Sequence, residues 1–137
     1  MALLTIGRVA AATAFVAAAS VVTSSPAHAA SDEDQVRAVL DTMNSSYNDT
    51  DFDAFASHLC ADLLKAPDYE AGWRDSRQSD GPTQIAVNTV HVRGDPASLA
   101  VANVRFVAAE HDRTLDIEFL REDSEWKACR YHAGQTV

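Results

Sequence analysis

The sequence predicts an α+β domain: two or three N-terminal helices packed on a curved four-stranded antiparallel sheet. Two observations carry this. Apolar residues recur at helical spacings of three and four up to about residue 65, and after residue 82 the period falls to two. The strand-like runs after that point are joined by connectors short enough to make sequential neighbours antiparallel.

Taken in order, the first helix starts at Ser31, an N-cap residue followed by Asp32, Glu33 and Asp34, acids that complement the helix dipole. Val36, Val39, Leu40, Met43 and Tyr47 form its apolar stripe, and Asn48 and Asp49 favour a turn after it. Thr50 or Asp51 caps a second helix, expected within 51–65. Phe52, Phe55, Ala56, Leu59, Cys60 and Leu63 line its buried face, and Pro67 stops it. "DYEAGWRDSRQ" reads as a short third helix with Tyr69 and Trp73 on one side, and "SDGP" at 79–82 as a turn. The strands are "TQIAVNTVHV", "SLAVANVRFVA", "TLDIEFLR" and "EWKACRYH". In the first, Ile85 and Val87 hold one parity and Val90 and Val92 the other, which predicts a β-bulge near Asn88. In the third, Leu115, Ile117 and Phe119 face one way, and Asp116 and Glu118 the other.

Residues 1–29 read as a secretory signal peptide. Arg8 precedes a short apolar run, "VAAATAFVAAASVV", and "AHAA" follows with small residues at the cleavage site, between Ala29 and Ala30. The run is shorter than the roughly 20 residues that span a bilayer, so no stable membrane span is expected after cleavage. Residues 30–137 then form one domain, exported through the general secretory route to the envelope or the medium. The whole chain carries 11 basic and 20 acidic side chains, a net charge of −9. Loss of Arg8 makes that −10. Such a surface repels phosphate backbones, so a nucleic-acid partner is not expected. Nine arginines against two lysines fit a GC-rich, actinobacterial source.

The helix pair "VRAVLDTMNSSYNDTDFDAFASHLCADL" and the final block "SEWKACRYHA" together resemble the nuclear transport factor 2-like superfamily, which includes SnoaL- and ketosteroid-isomerase-like proteins. The likeness is closest to small exported actinobacterial members of unknown function. It implies a cone-shaped, cystatin-like roll, in which a curved sheet wraps the first helix and leaves a pocket at the open end. Members of that superfamily include isomerases, dehydratases, cyclases and non-catalytic binding domains, so fold does not choose function.

Cys60 and Cys129 are the chain's two cysteines. In an oxidising compartment such a pair is expected to join, stapling the second helix to the last strand. Pocket enzymes of the resembled superfamily use an aspartate base with a tyrosine or a second acid. Tyr47 is a candidate donor here, and His58, Asp116 and His132 candidate bases. Each has a plainer reading: Tyr47 as a core residue, Asp116 as part of a solvated strand face. The four histidines of the mature chain lack the i, i+4 spacing of a helical metal site, so neither metal nor cofactor is expected. "RGD" at 93–95 precedes Pro96 and reads as turn chemistry. The leading functional reading is non-catalytic: an exported domain binding a small apolar ligand or a protein partner. A pocket-based lyase or isomerase using an Asp or His comes second, and a structural envelope component third. A homodimer is compatible with all three.

Overall fold

The structure is a computed structural model and describes residues 30–134. The leader assigned to residues 1–29 lies outside the described residues. Four helices, α1 (Asp32–Asn48), α2 (Phe52–Ala56), α3 (Ala61–Leu64) and α4 (Tyr69–Asp80), precede four strands, β1 (Gln84–Arg93), β2 (Leu99–Val107), β3 (Asp112–Glu122) and β4 (Glu125–Ala133). The strands form one antiparallel sheet in the order β1-β2-β3-β4. This is the α+β arrangement that the change of period implies.

Helix α1 begins as its sequence dictates: the Ser31 hydroxyl accepts from the Asp34 N–H at 3.1 Å. Its stripe of Val36, Leu40 and Met43 is buried against the concave face of the sheet. There Ala100, Ala102 and Ala128 are fully buried beside Val104, Ile117 and Phe119. The three alanines keep the sheet surface low, so that a helix approaches closely and the larger side chains fill around it. Asp32 closes the other end. Its carboxylate accepts from the Trp126 indole at 3.2 Å and pairs with Arg121, whose guanidinium lies 4.6 Å over the Trp126 ring. The first turn of α1 is thus tied to the β3–β4 hairpin.

The bulge expected near Asn88 is present: the β1–β2 register shifts between Val87 and Thr89. It brings Ile85, Val87, Val90 and Val92 to one core in spite of their opposite parities. The Val87 carbonyl accepts from Arg37 of α1 at 3.1 Å. A second bulge falls at Cys129, where Glu118 pairs with Arg130 but Phe119 with Ala128. Without it, the parity of Trp126 and Ala128 would carry Arg130 inward. With it, Tyr131 takes the inner position opposite Ile117.

The expectation of one helix over 51–65 is corrected. Asp51 does cap α2, its carboxylate accepting from the Ala54 N–H at 3.1 Å. The helix then stops at Ala56 and restarts at Ala61. Between the two, the Cys60 N–H donates to the Ala128 carbonyl at 2.9 Å and the Ala128 N–H to the His58 carbonyl at 2.8 Å, with Leu59 in a parallel bridge to Ala128. The edge of β4 outcompetes the helical ladder, because backbone groups left open there by the last strand need partners. Cys60 therefore stands at the N-cap of α3 and not in mid-helix. The third helix is longer than the sequence suggests, since it runs through Asp80 and absorbs half of "SDGP" before Gly81, at φ 70°, ends it.

The two cysteines are paired, with Cα atoms 4.9 Å apart, within the usual range of about 4.4–6.8 Å. "RGD" falls in the β1–β2 connection, where Gly94 adopts φ 99° and the Ser98 N–H closes onto the Arg93 carbonyl at 3.1 Å.

Candidate functional site

The sheet curves away from α1 at one end and leaves a cavity of about 210 Å³. Helix α1 supplies Leu40, Met43, Asn44 and Tyr47 to its wall, and the strands supply Ile85, Phe106, Leu115 and Tyr131. Helix α4 crosses the opening with Tyr69, Trp73, Ser76 and Asp80, residues spaced four, three and four apart and so on one helical face. Trp73 is buried, with Tyr47, Phe52 and Phe55 around it at centroid distances of 5.3–5.4 Å, the spacing of favourable aromatic pairs.

Polar groups gather on one side of this opening. The Asp80 carboxylate is only 11% exposed. One of its oxygens faces His111 Nε2 at 3.4 Å, and the other faces Arg113 Nη2 at 3.4 Å and accepts from the Ser76 hydroxyl at 3.3 Å. Ser76 Oγ also lies 3.0 Å from the Tyr47 hydroxyl. A serine has one proton to give, and here it goes to Asp80, so Tyr47 donates to Ser76. Tyr47, Ser76 and Asp80 thus form a hydroxyl relay ending on a carboxylate, with a histidine and an arginine on its far side.

Helix α4 is held in place from behind. Arg77 donates to the Tyr47 and Asn48 carbonyls, both at 2.9 Å, and so caps the C-terminal end of α1. Deeper in the wall, the Tyr131 hydroxyl and the Trp73 indole N–H are buried without a hydrogen-bond partner of good geometry among the described residues. Burial, and then the neighbouring Tyr69 phenol, push the Tyr131 hydroxyl well above the usual tyrosine range. Burial raises Tyr69 as well.

Of the residues named from sequence, Tyr47 lies in the cavity wall. The other three do not reach it. His58 sits at the α2–α3 break, where burial and then Lys127 lower its pKa. Asp116 and His132 are cross-strand partners on the convex face of the sheet, and Asp116 accepts there from Asn103 at 2.8 Å. The polar groups that do line the cavity, Asp80, His111 and Arg113, were missed. Two of them carry a signal in the sequence: Asp80 continues the helical stripe of Tyr69 and Trp73, and Arg113 shares the parity of Leu115, Ile117 and Phe119. A third helix expected to end before residue 79 and a third strand expected from residue 114 leave both outside their elements. Cys60, Cys129 and Glu122 place ligand atoms within 4.8 Å of one another, but sulfurs bonded to each other are not thiolate ligands, and this cluster is no metal centre while the disulfide stands.

No protein-family profile matches the sequence, and comparison with curated proteins finds no match. Among solved structures, an NTF-2-like protein of unknown function from Shewanella oneidensis MR-1 superposes with a TM-score of 0.54 at 11% identity, covering 73% of this chain and 96% of that one. A Kribbella flavida DSM 17836 protein with a provisional ketosteroid isomerase assignment gives a TM-score of 0.47 at 15% identity, over 77% of this chain and 82% of that one. The Shewanella likeness establishes the NTF-2-like fold and carries no activity with it.

Proposed function

We propose that this chain is an exported binding domain that takes a small, largely apolar ligand in the cavity at the open end of its cone. One observation carries the reading: the cavity is walled by aliphatic and aromatic side chains on most sides and by polar groups on one. That is the usual form of a small-molecule site, with an apolar body for affinity and a few polar atoms for orientation. Its volume of about 210 Å³ exceeds the roughly 150 Å³ that accommodates benzene in an engineered core. A protein partner is less well supported. The exposed large apolar residues among those described are Leu64, Val107 and Leu120, on three different elements, and Val107 and Leu120 lie at opposite ends of the sheet. The leader-like first 29 residues and the paired cysteines support export, and no helix among the described residues is long and apolar enough to cross a membrane.

A lyase or isomerase is the second reading, favoured by the Tyr47–Ser76–Asp80 relay and by His111 at the same opening. Both Asp80 oxygens already face donors, which suits a fixed charge better than a proton acceptor.

Native mass spectrometry of the chain purified from its own host tests the binding reading. A retained small molecule is expected, and Leu115→Trp, which fills the cavity, should lose it. If no mass is retained and no ring-sized apolar compound raises the melting temperature, the binding reading falls. A retained molecule that is chemically altered on incubation favours the enzyme.

A further inference from the structure

We infer that the ligand of this cavity is a small monocarboxylic acid, about one ring in size, whose carboxylate docks on Arg113 at the opening, beside His111, while its body lies on the apolar wall. The inference deepens the binding reading above and rests on it.

Arg113 is the central observation. In this acidic chain the cations are mostly held close by carboxylates: Arg74 by Glu70 at 2.9 Å, Lys65 by Asp62 at 2.7 Å, and Arg105 by Asp112 through two contacts. Among the described residues Arg113 makes one side-chain polar contact, at 3.4 Å, and its side chain is 60% exposed where it borders the cavity. A charge-assisted bond is ordinarily about 2.7–2.9 Å long. Most of its five guanidinium N–H donors therefore have no partner among the described residues and can meet a planar, bidentate acceptor. His111, 59% exposed, stands on the same side with its Nε2 turned to Asp80.

The charges decide among ligand heads. An ammonium group would have to enter between Asp80 and the donors already facing it, against Arg113. A neutral head would lie against the guanidinium without neutralising it, as that side of the opening loses water. A carboxylate pairs with Arg113 and leaves Asp80 to His111 and the Ser76 hydroxyl, so that each charge keeps a partner. The cavity size limits the body to about one ring.

The test uses benzoate, benzamide and benzylamine, three probes of one shape with anionic, neutral and cationic heads, titrated into the intact folded chain and followed by NMR. Benzoate should bind about tenfold more tightly than benzamide, the ratio that one charge-assisted pair supplies, with benzylamine weakest. Arg113→Gln should abolish that preference and leave benzamide within about twofold of its original affinity, while Arg113→Lys keeps part of it. Equal affinity for benzoate and benzamide, or a preference that survives Arg113→Gln in a variant of unchanged melting temperature, overturns the acid and leaves the pocket as a neutral binding site. Absence of binding by all three at millimolar concentration overturns the acid and the pocket together.

Discussion

The backbone N–H of Cys60 donates to the carbonyl of Ala128 at 2.9 Å, one residue before the Cys129 to which the Cys60 side chain is joined. Backbone and side chain thus fix the same point on the edge of β4. Cys129 occupies the bulge of that strand, where the extra residue is released from the regular ladder.

The disulfide spans 69 residues. Chain entropy for a loop of that length gives roughly 4 kcal/mol as an upper-end stabilisation. Replacing Cys60 and Cys129 together by alanine, or reducing the bond, should lower the melting temperature by roughly 10 °C or more. Neither cysteine lines the cavity, so ligand binding by the folded variant should persist. An unchanged melting curve in reductant would show that the bridge to β4 holds without the bond.

Much of the fold is legible because it follows from period and caps. Ser31, Asp51 and the Asn88 bulge stand where local chemistry puts them. The broken second helix was hidden for a tertiary reason: its stripe from Phe52 to Leu63 is a sound helical pattern, and only the open edge of β4 makes the strand-like segment at Leu59 the better state. The site was hidden for a different reason. Asp80 and Arg113 come together across 33 residues, and a single sequence gives no pairing signal at that distance.

By composition Asn48 is a turn residue, and its role in the fold is more specific. Its side-chain amide donates to the Thr83 carbonyl and accepts from the Thr83 N–H, both at 2.8 Å. It pairs like a short piece of strand and pins the end of α1 to the start of β1. Thr83 is buried, so Asn48→Ala leaves the Thr83 N–H without a partner and its carbonyl with only the longer bond from the Asn44 amide, at 3.2 Å. A loss of about 1–2 kcal/mol is expected by denaturant titration. Asn48→Asp should also destabilise, since the carboxylate lacks the donor for the Thr83 carbonyl. A loss below about 0.5 kcal/mol for both would show that water replaces the amide freely.

The β3–β4 hairpin turns through Asp123 at φ 50° and Ser124 at φ 66°. Two positive φ values match the type I′ turn, which favours glycine at its second position. Ser124→Gly should therefore raise stability by about 0.5–1 kcal/mol, since relief of left-handed strain exceeds the entropy that glycine adds to the unfolded chain. The Arg121 contact to the Ser124 carbonyl, at 3.0 Å, is to backbone and survives the change. A destabilised variant would show that the Ser124 side chain contributes more than its backbone strain costs.

Export with cleavage after Ala29 predicts a mature N-terminus of Ala30-Ser31-Asp32. N-terminal sequencing of the protein from culture medium or envelope should read those residues. Such a cut leaves intact both the Ser31 cap and the Asp32 contact to Trp126. Cleavage two or more residues further on would remove the cap and cost about 1 kcal/mol. Recovery of the full-length chain in membranes alone would refute cleavage.

Tyr131 is expected to weaken the fold at alkaline pH. An unfolded tyrosine ionises near pH 10, while burial and the Tyr69 phenol keep Tyr131 protonated well above that in the folded chain. The unfolded state thus releases its proton first. The contribution to stability is whole below about pH 10 and is lost as the pH rises towards the folded value, by up to about 1.4 kcal/mol for each pH unit. Tyr69, raised in the same direction by burial, adds to the loss. Tyr131→Phe removes a buried hydroxyl that has no well-placed partner, so its cost at pH 7 should be under about 1 kcal/mol. Above pH 10 the variant should unfold less readily than the parent in urea titrations at matched pH. Parallel stability curves for the two proteins between pH 9 and 11 would show that Tyr131 ionises as freely in the fold as out of it.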